Sequence, residues 1–275
     1  MQHQDFKNEM KREILLTNDD SYKAHGINLI AQILRKFGNV LMIAPSTPQS
    51  AKSMALTMDS PIYLTKYDEF EPEEGKGRLE CYHLDGTPAD CSKMIINQTI
   101  ERHIQPDLFV AGVNHGSNAS AGCLYSGTLG ACKEGCLVGI PSIGLSLSSK
   151  EGEVQDFSSV EKYASPIIEQ LFQNPPVLNT FLNVNFPNIP ADQVKGIHFS
   201  HQGNGRWERE FVESSNVKGK KLYWMVGQFV NYEEKAATRD ADHLLLEDGY
   251  VTITPLKIDS TNYAEKERLS KLWKL

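Results

Sequence analysis

The chain has 275 residues, of which 40% are hydrophobic and 23% charged. That is enough for one large domain or two modest ones with a self-sufficient core, and it excludes a disordered chain. Its 28 basic and 35 acidic residues leave a net charge of −7, which argues against binding to long nucleic acid. The dense basic stretch Lys218 to Lys221 reads as a solvated turn. Apolar runs such as Leu108 to Val113 fall far short of the roughly 18 residues a membrane-spanning helix requires. The first eleven residues are polar and lack the apolar stretch of a leader. Five cysteines (Cys81, Cys91, Cys123, Cys132 and Cys136) form no Cys-x-x-Cys pair, so neither a disulfide framework nor a zinc site is expected. Reduced thiols in a cytoplasmic protein are the expectation.

Glu13 to Asn18 is a short apolar run that reads as a buried strand. Gly26 to Phe37 follows with Ile27, Ile30, Leu34 and Phe37 at helical spacing. Asn39 to Ala44 is a second strand, stopped by Pro45, and Met54 to Tyr63 is β-prone. Thr87-Pro-Ala-Asp90 opens a helix, with a capping hydroxyl, proline at the first helical position and a carboxylate at the positive end of the dipole. Asp107 to Val113 is a third strand, and Gly127 to Gly135, rich in small residues, is a closely packed helix. Further strands are expected at Ile140 to Leu147 and Val177 to Phe186, around a helix from Gln155 to Phe172. Apolar strands alternating with helices predict an α/β core, a mostly parallel sheet covered on both faces, over residues 12–190. Residues 191–275 read as a C-terminal extension: hairpins or an extended arm within Ile197 to Val230, a returning strand at Gly249 to Leu256 and a tail helix from Thr261 to Leu275.

Ligands bind outside the carboxyl ends of strands in open parallel sheets. Four polar clusters fall there: Asn18-Asp19-Asp20, Ser46 to Ser53, Asn114 to Asn118, and Tyr125-Ser-Gly-Thr128. Adjacent carboxylates repel, and a divalent cation with hard oxygen ligands relieves the repulsion. An Asp-Asp pair equally turns a chain and caps the next helix. Ser126-Gly127-Thr128 offers hydroxyls and free N–H groups to an anion at a helix start, or ordinary capping. Together, a metal site and an anion pocket point to phosphoester hydrolysis. His83, His198 and His201 read as structural or exposed, while His25 and His115 fall nearer the crevice, as loop residues first and proton donors second. No glycine-rich dinucleotide fingerprint follows the first strand, and no phosphate-binding P-loop or nucleophile elbow occurs.

These segments together resemble the SurE family of metal-dependent nucleotidases, the survival proteins. The resemblance is carried by Ile14-Leu-Leu-Thr-Asn-Asp-Asp20, Ala44-Pro45 with Gln49-Ser50, Ser53 to Thr57, and Asp85-Gly-Thr-Pro-Ala-Asp-Cys91. It continues through Gly112-Val-Asn-x-Gly-x-Asn118, Tyr125-Ser-Gly-Thr128, Glu134-Gly135, Gly139-Ile-Pro141, Leu182-Asn-Val-Asn-Phe-Pro187, Asp242 and Gly249 to Leu256. The chain departs at Ser21, where the family usually has Gly, at Ser46, usually acidic, at Gln49, often basic, and at Ala241, commonly Thr.

The resemblance implies one divalent ion per subunit, Mg²⁺ or Mn²⁺, held by Asp19, Asp20, Ser50 and Asn114. It implies a phosphate surrounded by Asn118, Ser126, Gly127 and Thr128, with Asp19, Asp20 and Asn118 catalytic. Its activity is hydrolysis of nucleoside 5′- or 3′-monophosphates, and some members also cleave terminal phosphate from polyphosphate. The resemblance also implies a Rossmann-like core, and that the C-terminal hairpin arm and tail helix exchange contacts between subunits, in a homodimer or homotetramer. A phosphatase forming an aspartyl-phosphate normally uses Asp-x-Asp rather than adjacent carboxylates. A nucleotide-sensing protein without turnover remains the alternative from another functional class.

Overall fold

The computed structural model describes residues 12–150, 152–233 and 240–273. The polar N terminus, residues 1–11, and the last two residues of the expected tail helix lie outside the described residues. In chain order the elements run β1 (Arg12–Thr17), α1 (His25–Leu34), β2 (Gly38–Pro45), β3 (Leu64–Phe70), β4 (Leu79–Leu84) and α2 (Pro88–Glu101). They continue with β5 (Leu108–His115), α3 (Gly122–Tyr125), α4 (Gly127–Leu137), β6 (Ser142–Ser148), α5 (Ser158–Gln173) and β7 (Thr180–Pro187). The extension adds β8 (Ile197–Phe199), β9 (Gly205–Glu208), β10 (Phe211–Ser215), β11 (Lys221–Met225), β12 (Gln228–Asn231), α6 (Asp242–Glu247), β13 (Val251–Lys257) and α7 (Tyr263–Leu272).

The main sheet has the order β3-β4-β2-β1-β5-β6-β7-β13-β8. From β4 to β7 every pairing is parallel, as the apolar strands predict, while β3 and β13 join antiparallel. Side chains alternate across each strand, so Ile14 and Leu16 of β1 face one layer and Leu15 the other. The first layer holds Ile27, Ile30 and Leu34 of α1 with Val160, Ile167 and Leu171 of α5. The second holds Cys91 and Ile95 of α2 with Leu129 and Cys132 of α4. The chain leaves β1 toward β2 over one face and leaves β5 toward β6 over the other. The carboxyl ends of β1 and β5 therefore flank the switch point, where such sheets open a crevice.

One expectation needs correction. Met54 to Tyr63 forms no strand; the strand begins at Leu64. Pro61 has no N–H for a ladder, and the segment is instead held as a loop, with the Thr57 N–H and hydroxyl donating to the Asp90 carboxylate at 3.1 and 2.6 Å. That carboxylate also closes the capping box of α2 with Thr87. The expected tail helix is present as α7, and none of its described residues is buried.

The arm is a hairpin in two paired sections, β9 with β12 and β10 with β11, and Phe211, Trp224 and Met225 on it are exposed. The Lys218 to Lys221 stretch lies at its tip, a solvated turn as expected, with Lys221 paired to Glu213. All five cysteines are free and buried. Burial pushes the Cys81 and Cys123 thiols up to about 11. Among the described residues, no helix is long and apolar enough to cross a membrane.

The turn after β1 forces Ser21 to φ +85°, in the left-handed region that glycine occupies without strain. The Asn18 side chain fixes that conformation by donating to the Ser21 carbonyl at 2.9 Å. Ser21→Gly should raise unfolding stability by about 1 kcal/mol, relief of strain outweighing the freer unfolded chain. Urea titration of both proteins checks this, and an unchanged or lower midpoint would count against strain at this residue.

Candidate active site

β1 ends by delivering Asn18, Asp19 and Asp20 to the crevice, with Asn18 fully buried and Asp19 only 4% exposed. One Asp19 oxygen accepts the Thr128 hydroxyl at 2.5 Å. The start of α4 comes this close because residue 127 is glycine: a Cβ there would lie 2.9 Å from both Cβ and Oδ2 of Asp19. Ser126 caps α4, its Oγ accepting the Leu129 N–H at 3.1 Å and leaving its hydroxyl hydrogen to donate. The Asp19 carbonyl accepts the Gln49 N–H at 2.7 Å, which brings in the loop after β2. Farther along that loop, Ser53 donates through its N–H to Tyr125 O and through its hydroxyl to Leu124 O, both at 3.1 Å.

The β5 end supplies the opposite wall. Its pairing with β6 slips between Ala111 and Asn114, with Gly112 at φ +126°. A Cβ on Gly112 would lie 2.2 Å from the Leu145 carbonyl oxygen, so only glycine permits this bulge. The slip sets Asn114 at the crevice, where its amide donates to Gly116 O at 2.8 Å and its own carbonyl accepts no hydrogen bond among the described residues. The next N–H, of His115, donates to Asp20 at 2.8 Å. Asn118 is buried, its N–H donating to Asn185 and its side-chain amide to Ser146, both at 2.8 Å. Asn183 donates to Asn118 O and accepts from Asn185.

The structure thus joins Asp19, Gly127 and Thr128 directly and links Asp20 to the residue beside Asn114. Asn118 sits two residues before another anchor: the Ser120 N–H donates to the fully buried Asp242 carboxylate, as do the Gly203 and His243 N–H groups. Ser50 stands apart, exposed and with no hydrogen bond to the other site residues. Ser120, Ser146, Asn183 and Asn185 were not among the sequence-predicted site residues. Their signal was legible all the same: Asn183 and Asn185, two apart in an apolar strand, must share one buried face.

Electrostatics sets the site's chemistry. Burial, and secondarily the neighbouring Asp20, raises Asp19 from 3.8 to about 6. Burial also raises Asp20. Among the described residues no lysine or arginine offsets either charge. Two desolvated carboxylates with an uncommitted amide carbonyl beside them form an oxygen donor set that fits a hard divalent cation. The buried Asn18 Oδ1, without a partner, adds an unmet polar demand next to it. No group of three or more His, Cys, Asp or Glu converges among the described residues. Burial lowers the pKa of His115, and its Nε2 accepts the Gly26 N–H at 3.3 Å. The His25 and His115 rings both lie against Phe157.

The family model described as "Survival protein SurE" matches residues 14–209. The chain is 40% identical over 269 residues to the 5′-nucleotidase SurE of Phocaeicola vulgatus, covering 97% of this chain and 99% of that protein. It is 37% identical over 264 residues to the 5′-nucleotidase SurE of Bacteroides fragilis, covering 95% and 97%. The crystal structure of the SurE protein from Aquifex aeolicus matches with a TM-score of 0.77 at 31% identity, covering 94% of this chain and 99% of that one.

The Asp19 carboxylate has a sign to test. Its folded-state pKa lies above the ordinary 3.8, so it costs no stability below that pH. The cost grows as pH rises, reaching about 3 kcal/mol above pH 6. In EDTA, Asp19→Asn should therefore melt higher than the parent at pH 7.5, with the gap closing toward pH 4. Thermal melts across that range check it; a variant less stable at pH 7.5 would contradict the uncompensated charge.

Proposed function

The chain belongs to the SurE family of survival proteins, and we propose that it is a metal-dependent 5′-nucleotidase that hydrolyses nucleoside monophosphates to nucleoside and phosphate. The observation that carries this reading is the buried Asp19 carboxylate with the half-buried Asp20 beside it, uncompensated and set against the capped start of α4. Asp19, Asp20, Asn114 and Ser50 would hold one divalent ion, Mg²⁺ or Mn²⁺, with Ser50 supplied from the loop that Gln49 ties to Asp19. When bound, that ion supplies charge neutralisation at phosphorus and acidification of water.

The chain's own residues do the rest. The Ser126 hydroxyl, the Gly127 and Thr128 N–H groups and the positive end of α4 hold the phosphoryl oxygens, while the Thr128 hydroxyl stays on Asp19. Asn118, locked by Ser146 and Asn185, presents its remaining amide hydrogen to the same group. The Asp19–Asp20 pair accepts the proton of the attacking water. A site that grips only a terminal phosphoryl group also takes 3′-monophosphates and the ends of polyphosphate chains as secondary substrates. The exposed arm and α7 pair with other copies of the chain, as a homodimer or homotetramer. Five unpaired thiols support a reducing, cytoplasmic setting.

Phosphate release from a panel of 5′- and 3′-nucleoside monophosphates, with Mg²⁺, Mn²⁺ or EDTA, tests this reading. The native protein should release phosphate only with metal, fastest from 5′-monophosphates. Asp20→Asn should lower the rate by more than about 100-fold while folding normally. Release in EDTA at the full rate would remove the metal from the proposal. Nucleotide binding without any release would move the chain to the sensor class.

A further inference from the structure

Two aromatic rings stand beside the phosphate cradle without a place in its chemistry. Tyr125 immediately precedes Ser126, with their α-carbons about 3.8 Å apart, yet its side chain is 56% exposed. Trp207, on β9 at the root of the arm, meets it edge to face, centroids 6.4 Å apart at 73°, and is itself 37% exposed. Large rings left this open beside a polar crevice mark a contact surface.

Both rings are held in place. The Tyr125 carbonyl is tied to the Ser53 N–H. Phe229 packs edge-on against the indole at 5.4 Å. A glycine makes room for it: a Cβ at Gly227 would lie 3.0 Å from Trp207 Cδ1. Phe229 in turn abuts His243, the residue after the Asp242 that anchors Ser120. The indole is thus fixed relative to the loop that carries Asn118 and to the start of α4.

We infer that Trp207 and Tyr125 form the platform on which the substrate's nucleobase stacks. This rests on the nucleotidase reading, because the phosphate held at Ser126 to Thr128 sets where the base falls. A 5′-nucleotide carries its base one ribose away from phosphorus, and Tyr125 is the residue next to the cradle. Every base presents a π-face, so stacking distinguishes a nucleotide from a base-free phosphate ester and favours the larger purines. The arm thereby contributes a specificity-determining residue, Trp207, to a site whose chemistry belongs to the core.

The test compares AMP, GMP, UMP and base-free ribose 5-phosphate on the native protein, Trp207→Ala and Trp207→Phe, with metal present. Trp207→Ala should raise KM for the purine nucleotides about 10-fold with kcat nearly unchanged. It should leave ribose 5-phosphate hydrolysis as it was, and Trp207→Phe should recover most of the loss. Equal losses on all four esters, or no loss on the nucleotides, would overturn the platform. Tryptophan fluorescence separates the two layers: AMP should quench it, ribose 5-phosphate should not, and Trp207→Phe should abolish the quenching. Base-dependent quenching in a native protein that releases no phosphate would keep the platform and reject the nucleotidase reading. Absence of quenching by any nucleotide would reject the platform whatever the turnover.

Discussion

Two adjacent carboxylates taken out of water with no basic side chain to meet them set the terms for the surrounding structure. Desolvation is the larger cost at Asp19, and the repulsion from Asp20 adds to it. The fold accepts this because every neighbour is arranged around it. A glycine lets a helix N-terminus come against Asp19, a threonine hydroxyl donates to it, and a backbone N–H from the opposite strand end donates to Asp20. Ser21 adopts a glycine-like backbone so that the pair can turn into the crevice. The arrangement costs the resting protein stability, the exchange expected if the pair serves the proposed metal site.

Behind this front lies a layer that carries no charge but fixes positions. Buried amides are costly unless paired, and Asn118, Ser146, Asn183 and Asn185 pair with one another across the ends of β6 and β7. The rotamer of Asn118 is thereby decided by the sheet rather than by its loop. The Asp242 carboxylate does similar work from the extension, gathering N–H groups from Ser120, Gly203 and His243. Core and arm root meet at one buried anion, so displacement of either end is felt at the other.

The sequence displayed the core strands openly, because β1, β2, β5 and β6 are apolar runs buried on both faces. The α2 start was equally plain, since Thr87, Pro88 and Asp90 each have a separate physical reason to stand there. What stayed hidden was held by distant partners. The Met54 to Tyr63 segment has strand-forming residues, but a carboxylate thirty-odd positions away claims its Thr57. The strand β4 carries Glu80 and His83 among its apolar residues, and α6 has only one turn and a half, so neither shows a full period. In the site, the spacing of motifs gathered Asp19, Asp20, Asn114, Asn118 and the Ser126 to Thr128 cradle on one edge. Their environment was not legible, because burial and the orphaned carbonyls exist only once β1 and α4 have met.

The buried thiols give the molecule a chemical character of their own. Sulfur oxidation proceeds through the thiolate, and burial holds Cys81 and Cys123 near 11 and the Cys91 and Cys132 thiols higher than their ordinary value. Cys91 lies in α2, and Cys132 and Cys136 in α4, the helices that back the crevice. An oxidant therefore reaches the sulfur at the rate at which these helices lift from the sheet. Peroxide damage in this chain becomes a clock for opening of the core, with the intact fold acting as its own antioxidant shield.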